Sequence, residues 1–166
     1  MGRRDGPWLD DDEQTAWRSY LAMHDDLMLR LERGLQARSG LSLGDFAVLV
    51  ELSESENATM RPTELSRRLR WEQSRLSHRL RRMERRDLVR RTECDEDGRG
   101  AVVELTATGR RTIEEAAPGH AGELRSVLVD VLGANGMRTL GQISESVLAA
   151  LRTTTGTTTG AEPTSD

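Results

Sequence analysis

Lysine is absent from this chain: all 24 basic residues among its 166 are arginine. Arginine is the better residue for bidentate contacts to phosphate and guanine, although a codon bias accounts for the absence without any function. The single cysteine, Cys94, excludes an internal disulfide and fits a reducing compartment. No apolar run approaches the roughly 20 residues that span a bilayer. The opening stretch MGRRDGPWLDDDEQ has no apolar segment to serve as a signal peptide, so a cytoplasmic location is expected. Aromatic residues make up 3% of the chain, too few for an RNA-binding sheet that stacks bases. His24, His78 and His120 are widely scattered, and neither a glycine-rich phosphate loop after a strand nor a nucleophile elbow occurs. No enzyme activity, metal or cofactor is expected.

What is present is charge in one place. Between Arg61 and Arg91 stand twelve arginines against four acids (Glu64, Glu72, Glu84, Asp87), a local +8 on a chain of formal charge −4. The rest therefore carries −12. A basic block on an acidic chain is the footprint of a face that binds a polyanion. The alternative is a solvated helix laced with ion pairs, for which four acids are too few.

Periodicity organises the chain. Residues 1–10 read as a flexible arm containing Gly2, Gly6 and Pro7. Over 11–38, Ala16, Tyr20, Met23, Leu27, Leu31 and Leu35 form one helical stripe. Ser42 is placed to N-cap a shorter helix carrying Phe46, Leu49, Val50 and Leu52, and SESENATM follows as a polar loop. Pro62 suits a first helical turn; Leu65 and Leu69 face inward on that helix. After a tight turn, Leu76, Leu80 and Met83 recur at i, i+4 and i+7. Two short helices so joined make a helix-turn-helix. Opposite the second helix's apolar stripe lie Ser74, His78, Arg81 and Arg85, flanked by Arg75 and Arg82. A major groove admits such a helix. Its early residues Ser74, Arg75, Ser77, His78 and Arg79 are assigned to bases or nearby phosphates, and Arg81, Arg82 and Arg85 to phosphates. Thr63, in the first turn of the first helix, completes the set.

A hairpin follows. LVRRTE (88–93) and AVVEL (101–105) are β-prone and flank the turn CDEDGRG, a wing after a helix-turn-helix. Arg99 at its tip is suited to a narrow minor groove, with Asp97 positioned to hold it. Thr106 is placed to N-cap a further helix. Leu124, Val127, Leu128, Val131 and Leu132, then Met137, Leu140, Ile143, Val147 and Leu151, continue at helical spacing, broken at GANG (133–136). The last residues, 153–166, read as a disordered tail.

The run RPTELSRRL…SRLSHRLRRMERRDLVRR…DEDGRGAVVELTATGRR resembles the MarR family of winged helix-turn-helix transcriptional regulators. The resemblance rests on MERRDLVRR, on Asp97-Gly98-Arg99-Gly100 and on Leu105-Thr106 with Gly109-Arg110, and spans roughly residues 12–151. It implies a mainly α fold with a small β-hairpin wing: a DNA-binding domain over 39–110, and homodimerisation through an N-terminal helix (11–38) and C-terminal helices (111–152). It also implies double-stranded DNA as partner, a palindromic operator, a role as repressor, and a small aromatic or phenolic effector. Trp17, Tyr20, His24 and Phe46 are candidate lining residues for that effector; the alternative is that they are core or surface residues with no ligand. Asp87 stands where the family has glycine, at a position that often needs a left-handed residue. Acids beside Cys94 oppose a reactive thiolate, and His78 is read as a contact residue rather than a pH switch. Competing readings are a non-specific architectural DNA-binding protein and a small metal-dependent enzyme.

Overall fold

The computed structural model describes residues 8–93 and 101–155. The first helix, α1 (Asp11–Ser39), begins at a capping box in which Asp10 and Glu13 exchange backbone and carboxylate hydrogen bonds, both 2.8 Å. Asp10 therefore belongs to the helix rather than to a loose arm. Ser42 caps α2 (Leu43–Ser53) as expected, in a second capping box with Asp45. A 3-10 turn (Glu56–Ala58) leads into β1 (Thr59–Met60), within the stretch expected to be only a loop. Then come α3 (Pro62–Leu69), with Pro62 in its first turn, α4 (Gln73–Glu84), β2 (Val89–Glu93) and β3 (Ala101–Leu105). After these stand α5 (Ala107–Leu124), a π-helical turn (Arg125–Val129) and α6 (Asp130–Thr155). The break expected at GANG falls at Gly133 (φ 62°, ψ −179°). Residues 153–155, assigned above to a disordered tail, are the end of α6.

The strands form one antiparallel sheet in the order β1-β3-β2. Val89 pairs with Leu105 and Glu93 with Ala101, so the two wing strands are in the expected places. The added strand β1 pairs Thr59 with Glu104 and Met60 with Val103. The chain gathers into two compact units, residues 1–123 and 124–166. The first holds the core: Leu35, Leu49, Leu52, Leu65, Leu76, Leu80, Met83, Val89, Val103 and Ile113 are all buried. Hence the end of α1 and the first turns of α5 are built into the winged-helix core. No described helix is long and apolar enough to cross a membrane.

His120 of α5 packs its ring 4.5 Å from that of Phe46 in α2. Its Nδ1 is buried with no hydrogen-bond partner among the described residues. Burial first, and then the Arg38 cation, push its pKa below the usual value; Glu123 opposes them. The folded state thus takes up this proton less readily than the unfolded one. Stability is expected to fall as pH drops below 6.5, the ordinary histidine value. Denaturant midpoints at about pH 7.5 and about pH 5.5 should differ less in His120→Phe than in the parent. An equal difference in both would assign the pH dependence to other groups.

Candidate nucleic-acid interface

The helix-turn-helix is closed by backbone geometry. Arg70 ends α3 in a left-handed conformation (φ 54°). The Trp71 N–H donates to the Ser66 carbonyl (3.0 Å), while the buried Ser66 hydroxyl donates to the Trp71 carbonyl (2.5 Å). With the turn held, α4 presents two faces. Leu76, Leu80 and Met83 are buried, and Ser74, Arg75, His78, Arg81, Arg82 and Arg85 are exposed on the outer side. Ser77 is half-buried, and Thr63 is exposed in the first turn of α3. Unlike α1 and α2, neither α3 nor α4 has a side-chain N-cap, which leaves backbone N–H groups for water or an anion.

The basic block is partly neutralised, and by more acids than its own four. Arg67 and Arg68 share Glu64, and Arg68 also reaches Glu51. These two arginines hold the Glu64 carboxyl down to about 2. Arg90 makes a two-pronged bond (2.8 and 2.7 Å) to Glu104, its cross-strand neighbour, and Arg91 pairs with Glu84. Arg79 and Arg86 converge on Asp45. Acids at positions 45, 51 and 104 are thus drawn in from outside the block. Six of the twelve arginines (Arg61, Arg70, Arg75, Arg81, Arg82, Arg85) have no ion-pair partner among the described residues, and all six are exposed.

Arg79 requires a correction. The sequence reading puts it on the DNA-facing side, but its guanidinium turns inward to Asp45 Oδ1 (2.8 Å) and Ser42 Oγ (2.7 Å). Its side chain is only 21% exposed. The reason is the bare backbone of Gly44: a Cβ there would lie 2.4 Å from Arg79 Cζ. A position early on α4 suggests a contact to bases or nearby phosphates and gives no sign of the partner acid, which lies 34 positions away in the chain.

The wing-tip residues Asp97 and Arg99, and Cys94, lie outside the described residues. The base of the wing lies within the described residues. Asp87 adopts the left-handed conformation (φ 53°) that the glycine position suggests. Its strain is offset by hydrogen bonds: its carbonyl accepts from Thr106 Oγ1 (2.6 Å) and its carboxylate from Thr108 Oγ1 (2.8 Å). Thr106 Oγ1 also accepts from the Gly109 N–H (2.9 Å), the expected cap of α5.

The four candidate effector residues do not form one site in the protomer. Along the outside of α1, Trp17 stacks on Tyr20 with centroids 5.6 Å apart, and the Tyr20 ring lies tilted against that of His24 at 6.2 Å. Phe46 instead packs on the core and on His120. An open groove of about 380 Å³ is lined by Asp26, Leu29, Arg30, Arg33, Gly34 and Glu123, and none of the four reaches it. Periodicity places residues on a helix face but does not measure the distance between helices.

A helix-turn-helix backed by an antiparallel sheet whose last two strands lead into a wing, with arginines on the outer face of its second helix, defines a winged helix-turn-helix protein. A model described as MarR family matches residues 39–100. AbsC, a MarR family transcriptional regulator from Streptomyces coelicolor, is 38% identical; the match covers 89% of this chain and 99% of that one, with a TM-score of 0.83. Sco3205, a MarR family regulator from the same organism solved in complex with DNA, is 36% identical over 87% of this chain and 94% of that one, with a TM-score of 0.82. The transcriptional repressor YetL of Bacillus subtilis is 32% identical over 92 residues, which is 55% of this chain and 55% of that protein's length. The chain belongs to the MarR family of transcriptional regulators.

Proposed function

We propose that this chain is a sequence-specific regulator of transcription that binds double-stranded DNA as a homodimer and acts as a repressor on a palindromic operator. The observation that carries the reading is the outer face of α4 and its C-cap: Arg75, Arg81, Arg82 and Arg85 are exposed with no described ion-pair partner, on an element whose opposite side is locked in the core. The uncapped starts of α3 and α4 add N–H groups suited to phosphates. Arg75 and His78 lie early on α4, where a recognition helix meets bases; Arg81, Arg82 and Arg85 lie later, where it meets the backbone. The similarity to a regulator solved with DNA supports the same reading.

Dimerisation is supported by apolar surface left open in each unit. Trp17, Tyr20 and Met23 are 51, 49 and 46% exposed on α1, and Ile143, Val147 and Leu151 are more than half exposed on α6. Contiguous patches of this kind mark interaction surfaces. Sedimentation equilibrium should give twice the chain mass, and Trp17→Glu with Tyr20→Glu should shift it to the monomer. A parent chain that sediments as a monomer would overturn the dimer.

The test of DNA recognition is selection of duplexes from a random pool, followed by salt titration of the selected duplex against scrambled DNA. A palindrome with half-sites about 10 bp apart is expected. Arg75→Ala should relax preference at one base pair per half-site by about 1–3 kcal/mol. Arg82→Ala should weaken all sequences alike and flatten the salt slope by about one unit for each phosphate that the variant protomer no longer neutralises. Equal binding of selected and scrambled duplexes would leave only a non-specific architectural role. Adding small aromatic or phenolic acids to the titration tests for an effector; unchanged affinity removes that part of the proposal.

A further inference from the structure

Trp71 is the only aromatic ring among the described residues with two arginines over it. The Arg75 and Arg79 guanidinium carbons lie 5.1 and 5.3 Å from the ring centroid, within the range in which an indole face attracts a cation. The two arginines differ in every other respect. Arg79 is anchored on Asp45 and Ser42 and packs against Gly44. Arg75 is exposed in the early part of α4 and has no described ion-pair or hydrogen-bond partner. The ring itself is held on several sides. Its backbone is tied to Ser66 through both N–H and carbonyl, its body packs against the core, and the fixed Arg79 guanidinium lies over it.

We propose that Trp71 is a positioning residue for Arg75: the anchored indole holds this guanidinium in a preset pose, so that base discrimination by Arg75 depends on a side chain that itself reads no base. This rests on the DNA-binding reading above. A free arginine has many rotamers and loses that freedom on docking; a guanidinium already stacked on a fixed ring has less to lose. Two like charges four residues apart on a helix also repel, and pairing Arg79 with Asp45 reduces that penalty. The path from the start of α2 to the DNA-facing surface is therefore Asp45, Arg79, Trp71 and Arg75.

The experiment uses the full chain and the duplex selected from the random pool, with each base pair of one half-site exchanged in turn. Trp71→Leu should lower discrimination roughly two- to fivefold, the factor expected for one exposed cation–π contact, and only at the base pair whose preference Arg75→Ala also relaxes. The salt slope should not change. The double variant should discriminate no worse than Arg75→Ala alone, because both changes remove one interaction. Trp71→Phe, which keeps an aromatic face, should retain most of the discrimination and serves if Trp71→Leu folds poorly. Three outcomes would overturn this inference alone: full discrimination in Trp71→Leu, equal weakening at every base pair, or additive losses in the double variant. A parent chain with no preference for the selected duplex would overturn the DNA-binding reading, and this inference with it.

Discussion

Asp45→Ala is expected to lower the free energy of unfolding by about 3 kcal/mol. The Asp45 side chain is 4% exposed and accepts from Arg79 Nη1 at 2.8 Å and Arg86 Nη1 at 3.1 Å. Removing it leaves Arg79 without its counter-charge and with only the Ser42 hydroxyl to accept from it, on a side chain that is 21% exposed and whose Nε already lacks a partner among the described residues. Arg86 suffers less, since it is 41% exposed and keeps the Gly40 carbonyl at 2.9 Å. One stranded cation rather than two puts the effect at the lower end of what deleting one member of a buried pair costs. Replacing both members, as Asp45→Leu with Arg79→Met, should recover most of the loss, because no buried charge then remains without a partner. Urea titration of the parent and the variants decides between these. A loss below about 1 kcal/mol in Asp45→Ala would mean that Arg79 swings out to water, as an exposed pair permits.

Gly109→Ala carries the second large effect, and its sign separates two principles. By helix propensity alone, alanine in place of glycine would stabilise α5 by up to about 1 kcal/mol. The added Cβ, however, would sit 2.0 Å from the Leu88 carbonyl oxygen, 3.0 Å from its carbonyl carbon and 2.8 Å from Leu105 Cδ1. Two of these atoms are backbone, and Leu88 is buried immediately before β2. The clash can be relieved only by moving α5 away from the sheet. That would disturb the Thr106 cap and the seats of Ile113 and Ala116 in the core. The overpacking cost prevails, and a net loss of about 2–3 kcal/mol is expected. Thermal or urea unfolding that finds the variant as stable as the parent would show that α5 and the sheet can part freely.

These two sites show where the limits of sequence reading fall. The α1 range, the Ser42 and Thr106 caps, Pro62 at the start of α3, the Leu76/Leu80/Met83 stripe and the two wing strands were all legible, because each is a local pattern over a few residues. The strand β1 was not: two residues carry no periodicity, and Thr59 and Met60 are a strand only because β3 lies beside them. The ion pairs were not legible either. Counting acids between positions 61 and 91 understated neutralisation, since Asp45, Glu51 and Glu104 enter from other elements.

Local spacing by itself determined that this protein would have a helix-turn-helix with a wing, and that one face of α4 would be basic. Helical period, caps and turn residues act within a few positions, and they left no competing assignment for those segments. Which arginines remain free, however, depends on distances between residues far apart in the chain. Arg75 and Arg79 are one helical turn apart and alike in sequence. Only the approach of Gly44 and Asp45 in the folded chain makes Arg79 a structural tie and leaves Arg75 on the surface. The same holds for Tyr20 and Phe46: both belong to helical stripes, but packing buries part of Phe46 against the core and leaves Tyr20 on the outside of α1.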